Sequence, residues 1–262
     1  MFTGRLLPLV QRAARLALNA SGFASSLHAT PLGRVHVFDA QGGGRLPVIV
    51  VLHGIGSAAS QFARLLLALR PHARRVIAPD LPGHGFSDDP REALSPELLF
   101  ATLRDLLDRL SDEPVTLVGN SLGGALALRY ALERPARVRD LVLISPAGAQ
   151  MTTLEWQSLL DGFRVDTADD ARKLLMRLYH RTPVYMPVFA SSLRDSLQRS
   201  AVRELLRAVS PEDLPTPERL RELSVPTLLI WGRSERVLPP SSLAYFRAHL
   251  PARTLIEEVE GF

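Results

Sequence analysis

The residues best suited to chemistry are Gly119-Asn120-Ser121-Leu122-Gly123. The apolar run Val115-Thr116-Leu117-Val118 precedes them, and a helical pattern from Gly124 to Leu132 follows. Gly-x-Ser-x-Gly between a strand and a helix puts the serine in a tight, strained turn, with its hydroxyl projecting from the sheet edge. The flanking glycines remove Cβ atoms that would clash where strand and helix converge. The following helix aims the positive end of its dipole at the hydroxyl. This points to nucleophilic serine chemistry. Such a serine needs a base, an acid to orient that base, and donors for an oxyanion. Val51-Leu52-His53-Gly54-Ile55-Gly56 reads as a strand entering a His-Gly turn whose backbone N–H groups can point at the site. The N–H of Leu122 can supply a second donor. At His53 the backbone is what matters, and the imidazole reads as a hydrogen-bonded structural ring.

These residues need a frame. Apolar runs at 47–52, 75–78, 114–118 and 138–144 alternate with helical patterns at 58–70, 95–110 and 121–133. The alternation predicts an α/β fold with a doubly wound, mostly parallel sheet. A hairpin around Leu32-Gly33, with strands near 26–30 and 34–39, precedes it. From 151 to 223 only helical patterns occur: 152–162, 168–180, 188–209 and 217–223. A strand at 226–231, a helix at 240–249 and a strand at 253–259 complete the chain. The expected division is an N-terminal helix in 1–25, an α/β core in 26–147 and 224–262, and an inserted helical cap in 148–223. Ligands bind at the carboxyl ends of parallel strands, so an insertion there can cover the site.

Residues 5–19 form an amphipathic pattern, with Arg5, Pro8, Arg12, Arg15 and Asn19 on one face. Leu6, Leu9, Val10, Ala13, Leu16 and Ala17 share the other face. Packing on the protein body is the expectation, and weak contact with a membrane surface is the alternative. The arginines interrupt what would be the apolar core of a secretion signal.

The 262 residues are 46% hydrophobic and 22% charged, as in soluble globular proteins. The net charge of +4 comes from arginines scattered among acids, with Lys173 the sole lysine. No basic cluster interleaved with aromatics points to nucleic acid. The lack of cysteine excludes disulfides, thiolate metal sites and thiol catalysis. No motif calls for a metal or a cofactor. No apolar stretch reaches membrane-spanning length, and the cytoplasm is the expected location. Substrate identity and oligomeric state are not written in any motif.

Four motifs occur in order: His53-Gly54-Ile55-Gly56, Asp80-Leu81-Pro82-Gly83-His84-Gly85-Phe86-Ser87, Gly119-Asn120-Ser121-Leu122-Gly123-Gly124, and Trp231-Gly232-Arg233-Ser234-Glu235-Arg236-Val237-Leu238-Pro239. Together they resemble the α/β-hydrolase fold superfamily. Within it, they are most similar to capped serine esterases and to carbon–carbon bond hydrolases of meta-cleavage products. The resemblance implies Ser121 as nucleophile and Ile55 and Leu122 as oxyanion donors. Glu235 stands where the family places the triad acid, which is usually aspartate. His53, Gly54, Asp80 and His84 shape the site, with Asp80 accepting backbone hydrogen bonds within its turn. The family's base is a histidine just after the last core strand. Here only His249 follows Glu235, and it lies in the helix before that strand. The expectation is a fragment or truncated form that lacks the base and has little activity of its own.

Ester or related acyl hydrolysis through an acyl-enzyme on Ser121 leads these readings. The first alternative is carbon–carbon hydrolysis of a meta-cleavage-type diketo acid, with Arg181, Arg194 or Arg199 as a carboxylate clamp. The alternative of another class is a non-catalytic ligand-binding protein using the capped pocket. The partner in each case is a small molecule.

Overall fold

The computed structural model describes residues 6–179 and 186–260. Among these, eight strands form one sheet: β1 (Ala24–Thr30), β2 (Gly33–Gln41), β3 (Leu46–Leu52), β4 (Ala73–Pro79), β5 (Val115–Asn120), β6 (Val138–Ile144), β7 (Thr227–Gly232) and β8 (Leu255–Val259). Their order is β1-β2-β4-β3-β5-β6-β7-β8. β1 and β2 form an antiparallel hairpin, and β2 pairs antiparallel with β4. From β4 through β3, β5, β6 and β7 to β8 all pairing is parallel.

The alternation of side chains along β3 shows why the sheet carries layers on both faces. Val48, Val50 and Leu52 join the core built with α3 (Pro96–Leu110) and α4 (Leu122–Glu133). Ile49 and Val51 point the other way, into a core with Leu18 of α1 (Leu6–Ala20) and Leu66 of α2 (Ala63–Leu69). Both sets are buried, which explains an unbroken apolar run. α3 starts where Ser95 accepts a hydrogen bond from the Leu98 N–H ahead of Pro96. It buries Leu99, Leu103, Leu106 and Leu110 on one face.

Between β6 and β7 lie α5 (Thr153–Phe163), α6 (Ala168–Leu178), α7 (Met186–Leu197), α8 (Ser200–Ala208) and α9 (Pro217–Arg221). Thr152 with Glu155 and Thr167 with Asp170 form capping boxes at the first two. After β7 the chain forms α10 (Pro240–His249) and then β8.

Two elements differ from the periodicity. The helix expected over 188–209 is broken between α7 and α8, where Arg199 is extended at φ −58° and ψ 139°. The Gln198 amide donates to the Val165 carbonyl at 2.6 Å, so the break is held by tertiary contact. The helix expected from 58 begins as a 3-10 turn over Ala59–Phe62 before α2. The expected helix end at 180 and Arg5 lie outside the described residues.

α1 meets the body through buried Leu18 and through Arg15, whose guanidinium lies 5.0 Å from the Phe86 ring centroid. Its apolar stripe does not pack inward. Leu9 is 55% exposed and Leu16 68%.

Candidate functional site

β5 delivers Ser121 to the carboxyl edge of the sheet, and α4 starts at the next residue. Ser121 has φ 51° and ψ −116°, a conformation that costs a non-glycine residue roughly 1–3 kcal/mol. Surrounding bonds hold it there. Its N–H donates to the Ile144 carbonyl at 3.1 Å. Its own carbonyl accepts from the N–H groups of Ala125 and Ala147 at 3.0 Å each. The close crossing requires glycine. A Cβ on Gly119 would collide with the Gly123 carbonyl, and one on Gly123 with the carbonyls of Leu52 and His53.

The turn after β3 lies directly against this serine. A Cβ on Gly54 would sit 3.2 Å from Ser121 Cβ. Ile55 and Leu122 line one cavity with Ser121. Among the described residues neither backbone N–H donates to another loop or turn carbonyl.

That turn is fixed by buried imidazoles. His53 Nε2 accepts from the Leu81 N–H at 2.9 Å, so its proton is on Nδ1, which donates to the Gly54 carbonyl at 2.8 Å. Both nitrogens are spent and the ring is neutral. Burial lowers its pKa, although Asp80 opposes this. Asp80 accepts from the Ala59 N–H at 2.7 Å, the Phe86 N–H at 3.0 Å and His36 Nδ1 at 2.8 Å. Burial alone would raise the Asp80 carboxyl, but the His36 bond and the neighbouring imidazoles bring it below its ordinary value. His36 also meets Ser25 Oγ through Nε2, at 2.6 Å. His84 is pushed down to about 3, chiefly by burial. Its Nδ1 donates to the Pro82 carbonyl at 3.0 Å, and its buried Nε2 has no partner.

Glu235 sits in the turn after β7, at the same sheet edge, with β6 between its strand and that of Ser121. Its Oε1 accepts from the N–H groups of Val237 at 2.7 Å and Leu238 at 3.1 Å. Oε2 accepts no hydrogen bond among the described residues. Leu238 lines the cavity beside Ser121, so the carboxylate braces a turn that reaches the site. Among the described residues no histidine is hydrogen-bonded to Ser121. His249 bonds Arg221 and meets the Tyr245 ring edge-to-face, at the far end of α10.

The cavity holds about 290 Å³. Met151, Trp156, Leu159, Phe163, Leu206 and Val209, from the segment between β6 and β7, are among its mostly apolar walls. Two arginines border it, and both are engaged. Arg129 pairs with Glu97 and Glu133 and lies over the Phe100 ring. Arg219 pairs with Glu222 and donates to the Leu132 carbonyl. Of the arginines expected as a clamp, Arg199 pairs with Asp89 and Arg194 lies beside Asp195, and neither lines this cavity. Arg181 lies outside the described residues. Among those residues no cluster of three or more His, Asp or Glu could hold a metal.

The profile of the alpha/beta hydrolase fold family matches residues 47–261. The chain belongs to the α/β-hydrolase family. This α/β-hydrolase is 35% identical to a 2-hydroxy-6-oxononadienedioate/2-hydroxy-6-oxononatrienedioate hydrolase of Pseudomonas putida, covering 79% of this chain and 78% of the relative. A carboxylesterase from Bacillus subtilis superposes with TM-score 0.78 at 23% identity, covering 99% of this chain and 91% of that one. A 2-hydroxy-6-oxo-6-phenylhexa-2,4-dienoate hydrolase from Rhodococcus sp. strain RHA1 gives TM-score 0.77 at 22% identity, covering 91% and 90%. At such identities the two structures share the fold.

Two parts of the α/β-hydrolase site carry no signal in the sequence. His36 is 44 residues from Asp80 and belongs to an ordinary strand pattern. The cavity walls come from helices whose apolar faces carry no motif. No helix among the described residues is long and apolar enough to cross a membrane.

Proposed function

We propose that Ser121 is the nucleophile of a hydrolase acting on carbonyl compounds that carry an apolar arm. The observation that carries this reading is the strained Ser121 in the wall of an apolar cavity, with the Ile55 and Leu122 amides beside it. Ser121 Oγ attacks the carbonyl carbon and gives its proton to a histidine base, which no described residue of this chain supplies. The N–H groups of Ile55 and Leu122 receive the oxyanion. Collapse expels the leaving group and leaves an acyl-enzyme, which water hydrolyses. Glu235, whose Oε2 accepts no hydrogen bond among the described residues, is the acid that would orient such an imidazole. His53, Gly54, Asp80 and His84 hold the oxyanion turn and take no proton from substrate.

Ester hydrolysis leads when motifs alone are read, and the relatives reverse that order. The hydrolase named for 2-hydroxy-6-oxononadienedioate supports cleavage of a carbon–carbon bond in a vinylogous keto acid. The lining narrows the choice, because the bordering cations are paired and the walls are apolar. Any carboxylate inside this lining would lack a counter-charge. A keto acid enters with its apolar group and leaves its carboxylate at the mouth, whereas a diacid has no apolar end to offer. The preferred substrate is therefore a keto acid with an apolar group on the reacting carbonyl. Esters with an apolar acyl arm are the second reading, supported by the same lining.

The test compares kcat/KM for 2-hydroxy-6-oxo-6-phenylhexa-2,4-dienoate, for its analogue with a second carboxylate, and for p-nitrophenyl hexanoate. The phenyl acid is expected to lead. Preference for the ester would promote the second reading, and preference for the diacid would overturn the reading of the cavity. Failure of all three, with no reactive serine, would favour a ligand-binding protein.

A further inference from the structure

We propose that the exposed apolar face of α1 seats this protein on an anionic lipid surface. At about 100° per residue, Leu16, Leu9, Ala13, Ala17 and Val10 fall within an arc of about 120°. All five are exposed. Leu9 is 55%, Val10 44% and Leu16 68% accessible, while Leu18, on the opposite side, is fully buried. The helix thus docks on the body with one side and holds its richest apolar stripe outward. Such a face is useful where water is replaced by an apolar medium.

Charge selects the medium. Arg5, Arg12 and Arg15 belong to the same segment, and the first acidic residue of the sequence is Asp39. Arg12 is exposed at the margin of the stripe. The whole chain is basic, at a net +4. An amphipathic helix with an exposed cation, Arg12, at its border and no acids matches acyl chains beneath anionic headgroups.

The location gives the surface a use. α1 packs against α7. At the end of α7, Ser196 Oγ donates to the Gly56 carbonyl at 2.7 Å, and Leu197 abuts Gly56. Gly56 follows Ile55 in the turn beside Ser121. A surface bound by α1 is thus linked through α7 to the turn beside Ser121. The inference stands on the helix face alone and does not depend on the chemistry at Ser121.

The experiment is co-sedimentation of the full chain with phosphatidylcholine vesicles containing about a third phosphatidylglycerol, and with pure phosphatidylcholine vesicles. Binding is expected to the anionic vesicles and to weaken with salt. Leu9→Gln/Leu16→Gln keeps good helix formers at exposed positions, so melting temperature and circular dichroism should not change. It should reduce partitioning at least about tenfold. Arg12→Gln should reduce it about fivefold on anionic vesicles and little on neutral ones. No binding by the parent, or equal binding by the leucine variant, overturns the proposal. So does a parent that ignores vesicles but elutes as a dimer that the leucine variant splits, because the face then serves a second copy of the chain.

Discussion

Ser121 and Glu235 are held in place by different means, and the difference predicts how each tolerates substitution. The strained Ser121 backbone is fixed by its main-chain bonds to Ile144, Ala125 and Ala147, none of which uses the hydroxyl. Ser121→Ala should melt within a few degrees of the parent while whatever hydrolysis the parent shows falls to background. Most of the activity surviving in that variant would remove Ser121 from the mechanism. Glu235 instead uses its side chain to satisfy the amides of Val237 and Leu238. Glu235→Gln retains a carbonyl for both and should unfold in urea at nearly the parental midpoint. Glu235→Ala strips both amides and should cost about 1–3 kcal/mol. Equal stability of the two variants would contradict the bracing seen here.

The buried imidazoles set a pH dependence of stability. The folded-state pKa of His53 is lowered, and that of His84 falls to about 3. An unfolded histidine titrates near pH 6.5, so below that value the unfolded chain binds protons that the folded chain refuses. Their contribution is complete above about pH 6.5 and is lost as pH falls toward about 3. Asp80, also lowered, contributes above about pH 4 and fades only below it. Denaturant titrations between neutrality and pH 5 should therefore show stability falling, by up to about 1.4 kcal/mol per pH unit for each imidazole. His84→Leu should flatten that slope. An unchanged slope would mean that His84 is not held neutral. The backbone roles of His53 and Asp80 were legible in the sequence because their motifs place them next to the turns they tie. His36 was not legible, because nothing local distinguishes it from other residues of β2.

At the scale of elements, the alternation of strands and helices was readable because each parallel strand is buried on both faces. β3 shows this, with six of its seven residues buried. The break between α7 and α8 was not readable. No glycine or proline marks it, and it rests on a side chain reaching Val165 in another segment. The approach of α4 to β3 carries the most specific element-level prediction. Gly123→Ala puts a methyl group onto the backbone carbonyls of Leu52 and His53, which cannot rotate away. Loss of more than about 3 kcal/mol, or failure to accumulate as folded protein, is expected. An alanine variant of parental stability would show that the elbow and the oxyanion turn are further apart than described.

At the scale of the whole molecule, the helices between β6 and β7 share a cavity wall with the sheet edge that carries Ser121. Periodicity revealed their apolar faces but not what those faces enclose, so the pocket wall could not be read in advance. The motifs, by contrast, located Ser121, the turn at Ile55 and the turn at Glu235 at one edge, because strand ends in a parallel sheet converge there. The claim on which everything else rests is that Ser121 is a reactive nucleophile. Intact-protein mass spectrometry after prolonged incubation with a fluorophosphonate tests it most directly. A single adduct is expected, carried by Ser121 and absent from Ser121→Ala, while the other serines remain unmodified. No adduct on the parent, or the same adduct on Ser121→Ala, would contradict it.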